Sequence, residues 1–218
     1  EAVFLGGGSV QKVAEQVASI REEAVKNGRA ADSVKIMSAF TCVIGETAED
    51  AQAKYDAVRD TESPDVAVAS YAWFTGLDLS SFNPATPMKE LHTELSQTQV
   101  TRFGDQTVGD VLEQWHGNGV RSKPFVGTAE QIADEMIALA EGADLDGFLL
   151  TPMIQPSSTI DFIEQVLPIL RERGVAGEGY DAPTLRERLL GTDDSLTSRA
   201  HCCSPRNREV ASSKISRT

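Results

Sequence analysis

Arg121, Ser122 and Lys123 stand together ahead of Pro124. Two cations and a hydroxyl suit an anionic substrate by charge, although an exposed Arg and Lys pair is more often just solvated. Ser157 and Ser158 lie beyond an apolar stretch and invite a phosphate-site reading. Helix capping by Ser158, three residues before Asp161, accounts for them more simply. Cys42 sits in an apolar run with no histidine near it in sequence, which predicts a small core residue rather than a nucleophile. His201-Cys202-Cys203 lacks the spaced second pair that a tetrahedral zinc site requires, so no metal is expected. Tyr71, Trp73 and Phe74 either wall a pocket or anchor their segment to the body, and anchoring is the commoner use of aromatics in an insertion. No Ser-His-Asp set and no paired-carboxylate motif offers itself.

The elements that must carry these residues alternate between strand and helix. Ala2-Val3-Phe4-Leu5 is a short apolar run, Gly6-Gly7-Gly8-Ser9 a loop, and Val10, Val13, Ala14, Val17 and Ile20 recur at helical spacing up to a cap at Asn27-Gly28. Val34 to Ile44 reads as one long strand ended by Gly45, and Thr47-Ala48-Glu49-Asp50 as a capping box opening a helix to about Arg59. From Ser63 to Pro87 the pattern is too irregular for one regular element, and Leu91 to Trp115 suggests one or two helices before Gly117-Asn118-Gly119. Pro124 to Gly127 is predicted as a loop, Thr128-Ala129-Glu130-Gln131 as a capping box, and Ile132, Met136, Ile137 and Leu139 as the apolar face of its helix. Asp146 to Leu150 reads as a strand buried on both faces, followed by a helix around Phe162 to Leu170 that Pro168 should kink.

Composition narrows the function. A net charge of −13 argues against a nucleic-acid partner, since phosphate binding needs a basic surface. No run of about 18 apolar residues is present to span a bilayer. Three cysteines without a disulfide framework fit a reducing compartment, so a cytoplasmic location is expected. The chain starts at Glu1 without Met, which reads as a fragment edge or a processing site. From Thr197 on, five Lys or Arg residues face one Glu with no apolar periodicity, and residues 191–218 are expected to form a disordered basic tail.

Three βα units, beginning at Ala2, Val34 and Asp146, predict an α/β fold. Three strands cannot close a (β/α)8 barrel, which needs eight strands, so they would be the C-terminal part of an incomplete TIM barrel. An open doubly wound sheet is the competing topology, but Gly6-Gly7-Gly8 does not match its G-x-G-x-x-G turn. The expected organisation is a partial barrel over residues 1–190, an insertion over about 63–120, and the tail.

Glu1-Ala2-Val3-Phe4, Asp32-Ser33-Val34-Lys35-Ile36, Ala51-Gln52-Ala53-Lys54-Tyr55, Phe125-Val126-Gly127-Thr128-Ala129-Glu130-Gln131-Ile132-Ala133-Asp134, Asp146-Gly147-Phe148, Val166-Leu167-Pro168 and Tyr180 with Thr184-Leu185-Arg186-Glu187 occur in this order. Together they resemble the C-terminal half of the bacterial-luciferase-like, flavin-dependent monooxygenases, nearest the nitrilotriacetate and dibenzothiophene-sulfone monooxygenase group. The resemblance implies a luciferase-like (β/α)8 barrel that oxidises a small organic substrate with oxygen and reduced FMN, the FMN coming from a separate flavin reductase. It allows a homo-oligomer. It places the FMN phosphate-binding segment upstream of Glu1, so this chain alone is expected to bind FMN weakly or not at all. In many relatives a His stands where Arg121, Ser122 and Lys123 stand here. The alternatives are a deazaflavin-dependent reductase of the same fold and a non-catalytic remnant of the barrel.

Overall fold

The computed structural model describes residues 2–118, 124–180 and 182–191. β1 (Ala2–Leu5) leads through the glycine loop to α1 (Val10–Lys26), whose first turn is capped by Ser9 Oγ accepting from the Lys12 N–H at 3.4 Å. Asn27 and Gly28 end α1, Gly28 taking the left-handed conformation at φ +75°. β2 (Lys35–Phe40) runs parallel to β1 and to β5 (Gly147–Leu150), giving a sheet of order β1-β2-β5. Parallel neighbours require crossovers, and α1 makes the first one.

Alternation sorts the residues of β2 onto two faces. Ile36 and Phe40 are buried against Val13 and Val17 of α1 and against Ile132, Met136 and Leu139 of α6 (Ala129–Ala143). On the opposite face Phe4 is in register with Met37, and Ala39 with Leu149. Phe4 is 59% exposed and Leu149 45%. An apolar sheet face left in water forfeits about 1.5–3 kcal/mol for each large side chain it fails to bury.

The amino ends of the strands are tied by charge. Asp146, just ahead of β5, accepts from the Ile36 N–H at 2.9 Å and pairs with Lys35 at 3.1 Å and Arg21 at 3.4 Å. Arg21 also reaches Asp144 at 2.7 Å.

Five sequence expectations need correction or refinement. The long strand from Val34 to Ile44 divides at Thr41 into β2 and β3 (Cys42–Ile44), and the expected loop at Pro124 to Gly127 holds β4 (Phe125–Gly127), parallel to β3. β4 is only three residues long, too short to alternate visibly, and it leads a fourth βα unit into α6 through the Thr128 and Gln131 capping box. The stretch read as irregular contains α3 (Pro64–Thr75), capped by Ser63 and ended by Gly76. Its sequence PDVAVASYAWFT is apolar on nearly every side, so it shows no helical stripe to find. Ser158 does not cap: α7 (Ser157–Asp161) starts one residue earlier behind Pro156, and Ser158 Oγ instead accepts from the Ile154 N–H at 3.1 Å. The expected kink at Pro168 is a π-helical turn over Phe162–Val166 joining α7 to α8 (Leu167–Glu172). The missing proline N–H and the widened turn fall together.

Between β3 and β4, α2 (Ala48–Asp60), α3, α4 (Gln97–Arg102) and α5 (Val108–Trp115) form most of an excursion from the sheet. It has its own core of Tyr71, Leu79, Met88, Val100, Val111 and Trp115, with Tyr71 edge-on to Trp115 at 4.9 Å. Tyr71 is thus the anchor expected, whereas Trp73 is 81% exposed and anchors nothing. The short helix α9 (Leu185–Leu190), capped by Thr184 and Glu187, completes the described chain.

Candidate active site at the carboxyl ends of the strands

β2 and β5 stay paired up to a hydroxyl clasp. The Thr151 N–H donates to the Phe40 carbonyl at 2.8 Å, Thr151 Oγ1 lies 3.1 Å from the same oxygen, and Thr41 Oγ1 lies 2.6 Å from Thr151 Oγ1. All contacts are made at once when Thr151 gives its proton to Phe40 and Thr41 gives its own to Thr151. Beyond the clasp the chain changes partner, with β3 continuing β2 but pairing only with β4 among the described residues.

That switch opens a cleft on each side. On the β5 side lies a space of about 530 Å³ between β3, α2 and the segment that follows β5, lined by Cys42, Ile44, Lys54, Val58, Ile154 and Asp161 among others. On the β1 side, in the gap between the end of β1 and the start of β4, lies one of about 510 Å³ touching Gly7, Ser9, Thr41, Gln52, Phe125 and Glu135. Both volumes are in the range of small-molecule sites, and both lie where a parallel α/β sheet places its ligands.

Gly45 makes the first cleft possible. A Cβ there would stand 2.3 Å from the Ala51 nitrogen and 2.8 Å from the Thr47 carbonyl, so only glycine lets α2 fold back against β3. Thr47 caps α2 by accepting from the Asp50 N–H at 3.2 Å, and the Asp50 carboxylate accepts from the Glu46 N–H at 3.0 Å. Lys54, one turn on, pairs with Asp50 at 2.9 Å and donates to the Ile44 carbonyl at 3.2 Å. The pairing lowers the Asp50 pKa and raises that of Lys54. Burial, seconded by the Asp161 carboxylate, pushes the Cys42 thiol up to about 12. Cys42 is therefore a neutral wall at physiological pH, consistent with a core residue. In the second cleft, desolvation raises the Glu135 pKa.

Of the residues singled out in sequence, Arg121, Ser122 and Lys123 lie outside the described residues, as do His201, Cys202, Cys203 and the tail from residue 192 on. Ser157 and Ser158 do line the first cleft, beside Cys42. Lys54, Gln52, Asp161 and Glu135 were not singled out. Each lies on a helix that reads as ordinary amphipathic surface, and only the fold brings them to the strand ends. No group of three His, Cys, Asp or Glu side chains with metal-binding geometry occurs among the described residues, and none of their helices is long and apolar enough to cross a membrane.

The luciferase-like monooxygenase family model matches residues 1–177. Among curated relatives, the dimethyl-sulfide monooxygenase of Hyphomicrobium sulfonivorans is 30% identical over 92% of this chain and 43% of its own. The dibenzothiophene-sulfone monooxygenase of Rhodococcus erythropolis is 32% identical over 87% of this chain and 44% of its own. Among solved structures, a riboflavin lyase with modified FMN and substrate riboflavin superposes with a TM-score of 0.88 at 69% identity, covering 92% of this chain and 45% of that one. The chain spans less than half the length of each of these three proteins. With parallel strands, clefts at their carboxyl ends and a match across most of its length, the chain belongs to the luciferase-like monooxygenase family.

Proposed function

We propose that this chain is the C-terminal half of a (β/α)8 flavin-dependent monooxygenase that acts on a riboflavin-like heteroaromatic substrate, using oxygen and reduced FMN delivered by a separate flavin reductase. The observation that carries the substrate class is the 69% identity to riboflavin lyase, against 30% and 32% to the sulfide and sulfone monooxygenases. The half-barrel reading is supported by the sheet itself. Its inner face leaves Phe4 and Leu149 about half exposed, which suits strands that other strands of the barrel would cover. Residues 63–120, with their separate core, are the insertion on that scaffold.

The cofactor fits these residues only in part. The FMN phosphate is a near-dianion that calls for cations or clustered N–H donors. The second cleft offers Glu135 and no Lys or Arg among its described residues, and the first offers Lys54, already held by Asp50 and the Ile44 carbonyl. Neither cleft places an uncommitted cation among its described residues, in keeping with a phosphate site supplied by another part of the barrel. Reduced FMN, once bound there, supplies the oxygen chemistry. This chain contributes substrate positioning and exclusion of water at the strand ends.

The test supplies the protein with a flavin reductase, NADH, FMN, oxygen and riboflavin, with and without the first half of the riboflavin lyase barrel added as a separate chain. Reductase-dependent loss of riboflavin, seen with the added half and not without it, is expected. Riboflavin left intact in both mixtures overturns the reading.

A further inference from the structure

Among the described residues β3 carries an unpaired edge, and that edge looks into the first cleft. The Phe125 N–H donates to the Thr41 carbonyl at 2.9 Å and the Gly45 N–H to the Gly127 carbonyl at 3.1 Å, so odd-numbered residues of this segment face β4. Successive peptide groups of a strand alternate in direction, so the N–H and C=O groups of Cys42 and Ile44 point the other way. Lys54 Nζ, on the far wall of the cleft, confirms the direction by meeting the Ile44 carbonyl at 3.2 Å. The Cys42 carbonyl and the Ile44 N–H remain, side by side, without a pairing strand among the described residues.

A carbonyl of one residue and the N–H two residues on are what a parallel strand meets with the N–H and C=O of a single residue. A planar lactam or imide offers the same adjacent donor and acceptor without the rest of a strand. A whole strand has little room, because α7 packs against β3 and its Asp161 borders the cleft. The volume of about 530 Å³ and walls of Ala57, Val58, Met153 and Ile154 suit a flat apolar body. The neutral thiol of Cys42, the carboxylate of Asp161 and the already paired Lys54 give an anionic group nothing to gain.

We infer that the first cleft holds the imide edge of a neutral flavin-type ring, with the ring N–H donating to the Cys42 carbonyl and the Ile44 N–H donating to the adjacent ring carbonyl. This rests on the substrate class proposed above and names the subsite for it. The site reads the ring and ignores what its side chain carries, so phosphorylated and unphosphorylated flavins bind it alike.

The experiment is a fluorescence titration of the protein with three probes: riboflavin, N3-methylriboflavin and FMN. Riboflavin is expected to bind saturably, the N3-methyl compound about tenfold or more weaker, and FMN no tighter than riboflavin. In Ile44→Pro the N–H facing the cleft is lost while the ladder N–H groups of Val43 and Gly45 remain, and the preference for riboflavin over its N3-methyl form should disappear. If that variant fails to fold, the comparison of probes on the unaltered protein still decides. Equal binding of riboflavin and N3-methylriboflavin overturns the imide edge and leaves the proposed function standing, as does FMN binding much tighter than riboflavin. No binding of riboflavin at all overturns the subsite on this chain, whereas the substrate class falls only if riboflavin stays intact with both barrel halves present.

Discussion

The two ends of the same sheet are built differently. At the amino ends β2, β5 and α1 are tied together: Asp146 serves the Ile36 N–H, Lys35 and Arg21 together, and Arg21 adds Asp144. At the carboxyl ends pairing is given up, because the chain leaves β5 at the Thr41 and Thr151 clasp and exchanges it for β4. The first arrangement satisfies polar groups and stores stability. The second leaves strand edges, glycine loops and two clefts where a ligand can supply the missing partners. Barrels divide labour in this way, with stability at one face and chemistry at the other.

The largest effect should come from breaking the tied end. Asp146→Ala strands the Ile36 N–H and removes the partner of Lys35, while Arg21 keeps Asp144 and the Ala31 carbonyl. A cost of about 2–4 kcal/mol is expected from losing a largely buried, hydrogen-bonded carboxylate. Urea unfolding measures it, and riboflavin binding by the folded fraction should be unchanged. A variant that unfolds normally but loses the ligand would remove the distinction between the two ends.

The clasp between them should matter less. Thr151→Val keeps the shape but leaves the Thr41 hydroxyl, 6% exposed as a residue, without its partner. About 1–2 kcal/mol is expected, read from the same unfolding curves. Because the clasp marks where β5 and β3 part, amide exchange should rise at Thr151 and at residues just past it, and not at Gly147.

How much of this was legible in the sequence follows from the length of each signal. α1 and α6 announce themselves through long apolar stripes and explicit caps, and β1, β2 and β5 through apolar runs bounded by glycine or proline. β4 is three residues beside a proline and gives no period, so the partner switch that creates both clefts was invisible. α3 was hidden for the opposite reason, being apolar on nearly every side although only Ala67, Tyr71 and Thr75 are buried. The proposed subsite escaped for a deeper reason. It is made by the backbone of Cys42 and Ile44, and no residue type signals a free edge.

Blocking the open end is the third way to sharpen the comparison. Ala57 is exposed on α2 and borders the first cleft, so Ala57→Phe should fill it at little cost, within about 0.5 kcal/mol of the unaltered stability. Riboflavin binding should fall about tenfold or more. Retained affinity with the cleft filled would place the ring elsewhere, and the second cleft would be the next to fill.

The smallest effect concerns acid. Asp50 lies in the first turn of α2 and Asp110 in that of α5, and both carboxyls are held below their ordinary value of 3.8, Asp50 by Lys54 and the Glu46 N–H, Asp110 by the N–H and hydroxyl of Thr107. A carboxylate whose folded pKa is depressed gives its full contribution above the unfolded value and loses it as pH falls through the folded one. Both carboxylates sit at the surface, where solvent screens them, so global stability should hardly register the change. The first turns of α2 and α5 should nonetheless show faster amide exchange below about pH 4 than the first turn of α1, whose cap Ser9 does not titrate. Equal loosening of all three would mean that acid acts on the molecule as a whole. Loosening of α2 alone would tie the effect to Lys54, and so to the wall of the cleft that this lysine forms.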